Sequence, residues 1–344
     1  MTPADLSLTV LRAVRRAVGE GVLPAGAVAA AGVAERVTVE RPRPGGRGDW
    51  ATNAALRLAR PAALPPRRVA EILRARLDGA PGIERVDITG PGFLNFTLRP
   101  DTARVLVGRI LAEGERYGHG DALRGTQVTF RPGRGPRAAV VTGTVVALLR
   151  AQGARASVGP DGTETLRPLP ATGPVPSDDA GRWALLRPAA HDRVLERAPL
   201  LVQTEANGLF TVRYAHARVR ALLRNAAQLH LTAAHEDDPA YEDDPAYEDD
   251  PAHEDDVHAA RLLAALGDHP AVLEAAARLR APDRVARHLE ATADAFLGFQ
   301  HTVLPLGDEK PSAAHRSRLA LAEAAGTVLA GGLALLGISA PAYL

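Results

Sequence analysis

Residues 212–224, VRYAHARVRALLR, place reactive side chains on several edges of one predicted helix. Arg213, Arg220 and Arg224 share a face, with their guanidinium groups roughly two turns apart or less. Tyr214 and Arg218 share another edge. His216 borders the apolar stripe of Val212, Ala215, Val219, Leu222 and Leu223. Guanidinium groups fork onto phosphate oxygens, and Tyr, His and Arg planes stack on unpaired bases, so this set suits RNA. The same periodicity also describes an ordinary amphipathic helix with a solvated basic face.

Two further places hold candidate chemistry. The turn Gly90-Pro91-Gly92 leads into Phe93-Leu94-Asn95-Phe96, which is expected to set two aromatics along one strand face with an amide between them. Asn53 joins Phe93, Asn95 and Phe96 as a candidate contact, with core packing as the competing role for the aromatics. The loop 131–137, RPGRGPR, sets three arginines among glycines before a helix start, a composition that suits phosphate but also any exposed turn. It is not a phosphate-binding G-x-x-x-x-G-K-[ST] loop.

Other chemistry is excluded or weakly supplied. With no cysteine, the chain has neither disulfides nor thiolate metal ligands. Lys310 is its only lysine, and no histidine occurs between His119 and His191. No catalytic residue, cofactor or metal is expected. No run of 18 uninterrupted apolar residues occurs, and the amphipathic start with Arg12, Arg15 and Arg16 is unlike a secretory signal, so no membrane partner and a cytoplasmic location are expected.

The elements that must position the candidates follow from pattern. The expected class is α/β plus all-α. Residues 1–117 read as a small α/β domain. Residues 118–199 read as a reduced βαβ unit, with strand signals around Val128 and Phe130, an apolar helix from Ala139 to Leu149, a stop at Gly153, and a Pro-rich linker at 168–179. Residues 200–344 read as an antiparallel helical bundle. Inside it, residues 235–256 repeat HEDDPAYEDDPAYEDDPAHEDD, twelve acids with no Lys or Arg. The whole chain has net charge +1, so the remainder carries +13, the balance of a nucleic-acid binder with an acidic appendage. The repeat is expected to form a disordered loop, with two sharper roles left open: competition with RNA phosphates for the basic face, and cation binding.

The helix 212–224 resembles the opening of the DALR-type anticodon-binding domain of arginyl-tRNA synthetases. The lead-in 200–210, with Asn207 and Phe210, is similar to the family's, as are 284–310 and 315–341, the latter closing on Leu336, Gly337, Ser339, Ala340 and Pro341. Residues 37–60, 66–77 and 82–98 resemble the N-terminal additional domain of the same enzymes, with Gly48, Asp49, Asn53, Gly90, Gly92, Phe93, Asn95 and Phe96 at recurring positions. Trp50 departs mildly from the family's usual Tyr.

The resemblance implies contact with the tRNA elbow by the first part and with the anticodon by the second. It also implies a nucleotide-binding catalytic domain between them, with a His-rich signature and a Lys-rich phosphate loop, since adenylation builds negative charge that cations must stabilise. Neither signature is found. Residues 126–159 and 177–188 resemble that domain's first βαβ unit and last helix. The expected protein is therefore a binder of arginine-accepting tRNA, without its own aminoacylation centre, using Arg213, Tyr214, His216, Arg218 and Arg220 at one end and Asn53, Phe93, Asn95 and Phe96 at the other. Two alternatives stand beside it: an arginine–tRNA ligase, and a protein–protein module for a tRNA-dependent enzyme or synthetase.

Overall fold

The computed structural model describes residues 3–32, 37–42, 48–99, 102–171, 175–233 and 257–344. The acidic repeat at 235–256 lies outside them. The chain divides into two compact units, residues 1–106 and 107–344.

The first unit contains α1 (Pro3–Gly19), α2 (Ala25–Ala30), β1 (Trp50–Thr52), α3 (Ala54–Ala59), α4 (Pro66–Leu77), β2 (Ile83–Thr89) and β3 (Phe93–Leu98). Leu6, Val10, Val14 and Ala17 recur on one side of α1 and are all buried, the 3.6-residue stripe of a core-facing helix. The strands form an antiparallel sheet in the order β1-β3-β2, with Phe96 opposite both Trp50 and Val86. Strand side chains alternate faces, so Leu94 and Phe96 enter the core with Leu58, Leu73 and Leu77. Phe93 and Asn95 take the other face. The segment before β1 is latched to β3: Asp49 N–H donates to the Phe96 carbonyl, and Leu98 N–H donates to the Asp49 carboxylate at 2.8 Å. Gly48 sits at φ +84°, where a Cβ would lie 2.6 Å from that same carbonyl oxygen.

The second unit takes in most of α5 (Thr102–Glu113), then β4 (Gln127–Phe130), α6 (Pro136–Ala151) and β5 (Arg155–Val158), a parallel βαβ unit. Then follow α7 (Asp179–Leu186), α8 (Gly208–Gln228), α9 (Val257–Leu279), α10 (Asp283–Phe299) and α11 (Ala313–Leu336). The expected fold class, α/β elements with a βαβ unit and a C-terminal helical bundle, is present. α11 is long and apolar enough to cross a membrane, but 72% of its most apolar window is buried, as befits a bundle's central helix. It starts on a capping box, Ser312 with His315. Small residues let neighbours close on it: a Cβ on Gly331 would lie 2.6 Å from the Glu115 carbonyl oxygen. Within α9, Pro270 lacks the N–H that the Leu266 carbonyl would normally accept, and the Tyr117 hydroxyl donates to that carbonyl instead, at 3.2 Å.

Candidate nucleic-acid interface

α8 forms because Asn207 caps it. The Asn207 side-chain oxygen accepts from Phe210 N–H, and its amide donates to the Leu200 and Val202 carbonyls. Val212, Ala215, Val219 and Leu222 are buried, as their spacing predicts. The opposite side is more structured than a row of solvated cations. Tyr214 is 39% exposed and stacks on Phe210, with ring centroids 5.6 Å apart. Arg218 is exposed and its Nε donates to Gln300 Oε1 at 2.8 Å. Arg220 is exposed, and its side chain makes no hydrogen bond or ion pair with any described residue. Arg224 lies over the Tyr343 ring, 4.2 Å from its centre. Arg213 is half-buried, 3.9 Å from the Asp179 carboxylate.

His216 departs from expectation. It is 8% exposed, and its Nδ1 pairs with the Pro341 carbonyl at 2.9 Å, so Nδ1 carries the proton. Burial lowers its pKa against the opposing pull of that carbonyl. The ring fastens the C-terminal segment to α8 and does not face an incoming base. The same segment is held at Ser339, which donates to Asp179 from both backbone and hydroxyl. Tyr343, missed in the sequence reading, is thereby set on the α8 face with 71% of its surface exposed. No local periodicity relates it to α8, so only the fold reveals it.

In the first unit the candidates also separate. Phe93, 39% exposed, and the exposed Asn53 are accessible. Phe93 and Phe96 do not share a strand face, because residues three apart on a strand point oppositely. Phe96 is fully buried and packs the core, and Asn95 is only 5% exposed in the central strand.

The loop 131–137 is not an array of three available cations. Arg137 is 1% exposed, and its guanidinium donates to the carbonyls of Leu169, Leu185, Pro188, Ala189 and Asp192 at 2.7–3.2 Å. Every donor direction is spent on backbone, so Arg137 fixes the chain around α7, while Arg131 and Arg134 remain exposed. Among the described residues there is no group of three or more His, Asp or Glu placed to hold a metal.

Two family profiles match the chain: the arginyl tRNA synthetase N terminal domain at residues 10–98 and the DALR anticodon binding domain at residues 212–344. The arginine–tRNA ligase of Renibacterium salmoninarum is 45% identical over 167 residues, covering 45% of this chain and 29% of that protein. The arginine–tRNA ligase of Frankia alni is 45% identical over 130 residues, 38% of this chain and 22% of that protein. The matched part thus spans less than a third of either relative. A solved arginyl-tRNA synthetase from Thermus thermophilus shares the fold, with a TM-score of 0.67 at 13% identity over 100% of both chains.

Proposed function

Because the chain is a relative of the arginyl-tRNA synthetases, with their N-terminal and anticodon-binding domains, we propose that it binds tRNA, arginine-accepting tRNA foremost, without aminoacylating it. The observation that carries this reading is the outward side of α8, where Tyr214, Arg218, Arg220, Arg224 and Tyr343 combine cations with aromatic planes. Phosphate contacts supply affinity and stacking supplies choice of base. This side takes the anticodon stem-loop, and Phe93 and Asn53 take the elbow. Its cytoplasmic place follows from that role in handling tRNA.

The second half of the proposal rests on the middle of the chain. Parallel sheets are ordinarily covered by helices on both faces. Here the face away from α6 carries Gln127, Thr129, Arg155 and Ser157, of which only Thr129 is partly shielded. The sheet edges are provided for as well. Arg150 Nε donates to the outward Ala156 carbonyl at 2.8 Å, and the backbone of Thr163 and Glu164 meets the far side of β4. The unit is patterned to stand without further strands. The loop 188–192, clasped by Arg137, closes over the start of α6, where a doubly wound domain would receive a nucleotide.

The test is direct. Purified protein should retain arginine tRNA over other tRNAs at low salt, and should yield no arginyl-tRNA with ATP, arginine and tRNA. Equal binding of all RNAs would refute the first part. Robust charging would refute the second and favour the competing reading, an arginine–tRNA ligase, which the 45% identity to proteins of that name supports. Co-purification with a tRNA-dependent enzyme, independent of RNA, would favour a protein–protein module.

A further inference from the structure

The second unit carries a cleft of about 730 Å³ that the proposed RNA contacts do not use. Its floor is apolar, with Val141 from α6 and Val272, Ala275 and Leu279 from α9. Its rim is basic, with Arg280, Arg284 and Arg287 following one another into α10. Leu279 is 59% exposed despite its size. Arg284 is exposed, and its side chain has no hydrogen bond or ion pair with any described residue. Arg280 holds Glu164, and Arg287 holds the buried Asp283 at 3.2 Å. With Arg137 the lining holds four arginines against two acids, Asp268 and Asp283, so cations outnumber acids there even when Glu164 is added.

Such a cleft fits a segment that alternates carboxylates with small and aromatic groups. The chain contains one: in residues 235–256, groups of three acids alternate with Pro-Ala-Tyr or Pro-Ala-His. We propose that this segment docks in the cleft, its carboxylates on Arg284 and the neighbouring arginines and Tyr241 or Tyr247 on the apolar floor. The reach is sufficient. The segment ends directly before Val257, the first residue of α9, and the floor from Val272 to Leu279 lies roughly 23–33 Å further along that helix. Tyr247 stands ten residues before Val257, a span of roughly 33 Å when extended. Because the motif repeats, successive copies offer equivalent docking registers, which favours occupancy by multiplying the ways to bind. Bound there, the acids neutralise the cleft and leave the α8 cations to other ligands.

The chain has no cysteine, so two introduced thiols report on each other alone. Tyr247→Cys is combined in the full chain either with Ala275→Cys in the cleft or with Asn225→Cys on exposed α8 surface, at similar sequence separation. In a glutathione redox buffer the cleft pair should form its disulfide roughly tenfold faster than the α8 pair, reflecting a raised effective concentration. Arg284→Glu with Arg287→Glu should return the cleft pair to the α8 rate. So should about 1 M salt acting on the unsubstituted arginines, which needs no change that endangers folding. Equal rates, a faster α8 pair, or a cleft rate indifferent to both salt and the arginine changes would overturn the proposal.

Discussion

Acid should weaken this protein through two histidines at the α9–α10 contact. His269 is 1% exposed and stacks on Tyr117, with centroids 5.9 Å apart and planes 14° apart. The His288 ring lies 5.2 Å from it. His269 Nδ1 and His288 Nε2 are both sealed from solvent without a hydrogen-bond partner. Burial therefore opposes charge on each. It lowers His288 from 6.5 to about 4, and lowers His269 well below its ordinary value, with the charge of a protonated His288 adding to the cost. The unfolded chain accepts these protons readily and the folded chain does not, so the stability is full above pH 6.5 and is lost as pH falls toward 4. For His288 alone the full loss is about 3 kcal/mol, of which about 2 kcal/mol has gone by pH 5. His288 as a whole residue is half-buried, so these are upper values. Urea denaturation at pH 7.5 and pH 5 should show His288→Gln losing about 2 kcal/mol less between the two pH values than the parent protein does. The carboxylates common to both proteins cancel in that difference. Equal losses, or a parent protein flat down to pH 5, would refute the reasoning.

Other outcomes follow from single side chains. Arg137→Ala strands several buried carbonyls and should cost about 3–5 kcal/mol in chemical denaturation, whereas an exposed phosphate ligand would cost almost nothing. Gly331→Ala drives a methyl into the Glu115 carbonyl and should cost about 1–3 kcal/mol, read as a fall in melting temperature. Arg220→Ala should leave stability unchanged and reduce the slope of log affinity against log salt for tRNA by about 1, measured by filter binding. Phe96→Ala should destabilise by about 3–5 kcal/mol, and Phe93→Ala should weaken RNA binding while leaving the melting temperature within a few degrees.

Much of the architecture was legible because local pattern reflects which face is buried. The α1 stripe, the α8 stripe with its Asn207 cap, and the β4-α6-β5 alternation each follow from residues close in sequence. The site was legible only in part. Tyr214, Arg218, Arg220, Asn53 and Phe93 are accessible, as a surface role needs. His216, Asn95, Phe96 and Arg137 are buried, which polarity or aromatic character alone does not reveal, since neither reports what lies opposite a residue. Tyr343 went unseen because its nearest α8 partner, Arg224, is remote in sequence.

The sequence by itself determined the element types, the kinship of both ends, the lone lysine and the want of cysteine. Those properties belong to composition or to spacing along one helix or strand. The tertiary structure alone decided which polar groups remain for a ligand. Pro341 claims the proton of His216, Asp179 draws Arg213, Gln300 engages Arg218, and five carbonyls consume Arg137. Each partner comes from a distant part of the chain, and a buried hydrogen-bonding group is spoken for once such a partner reaches it.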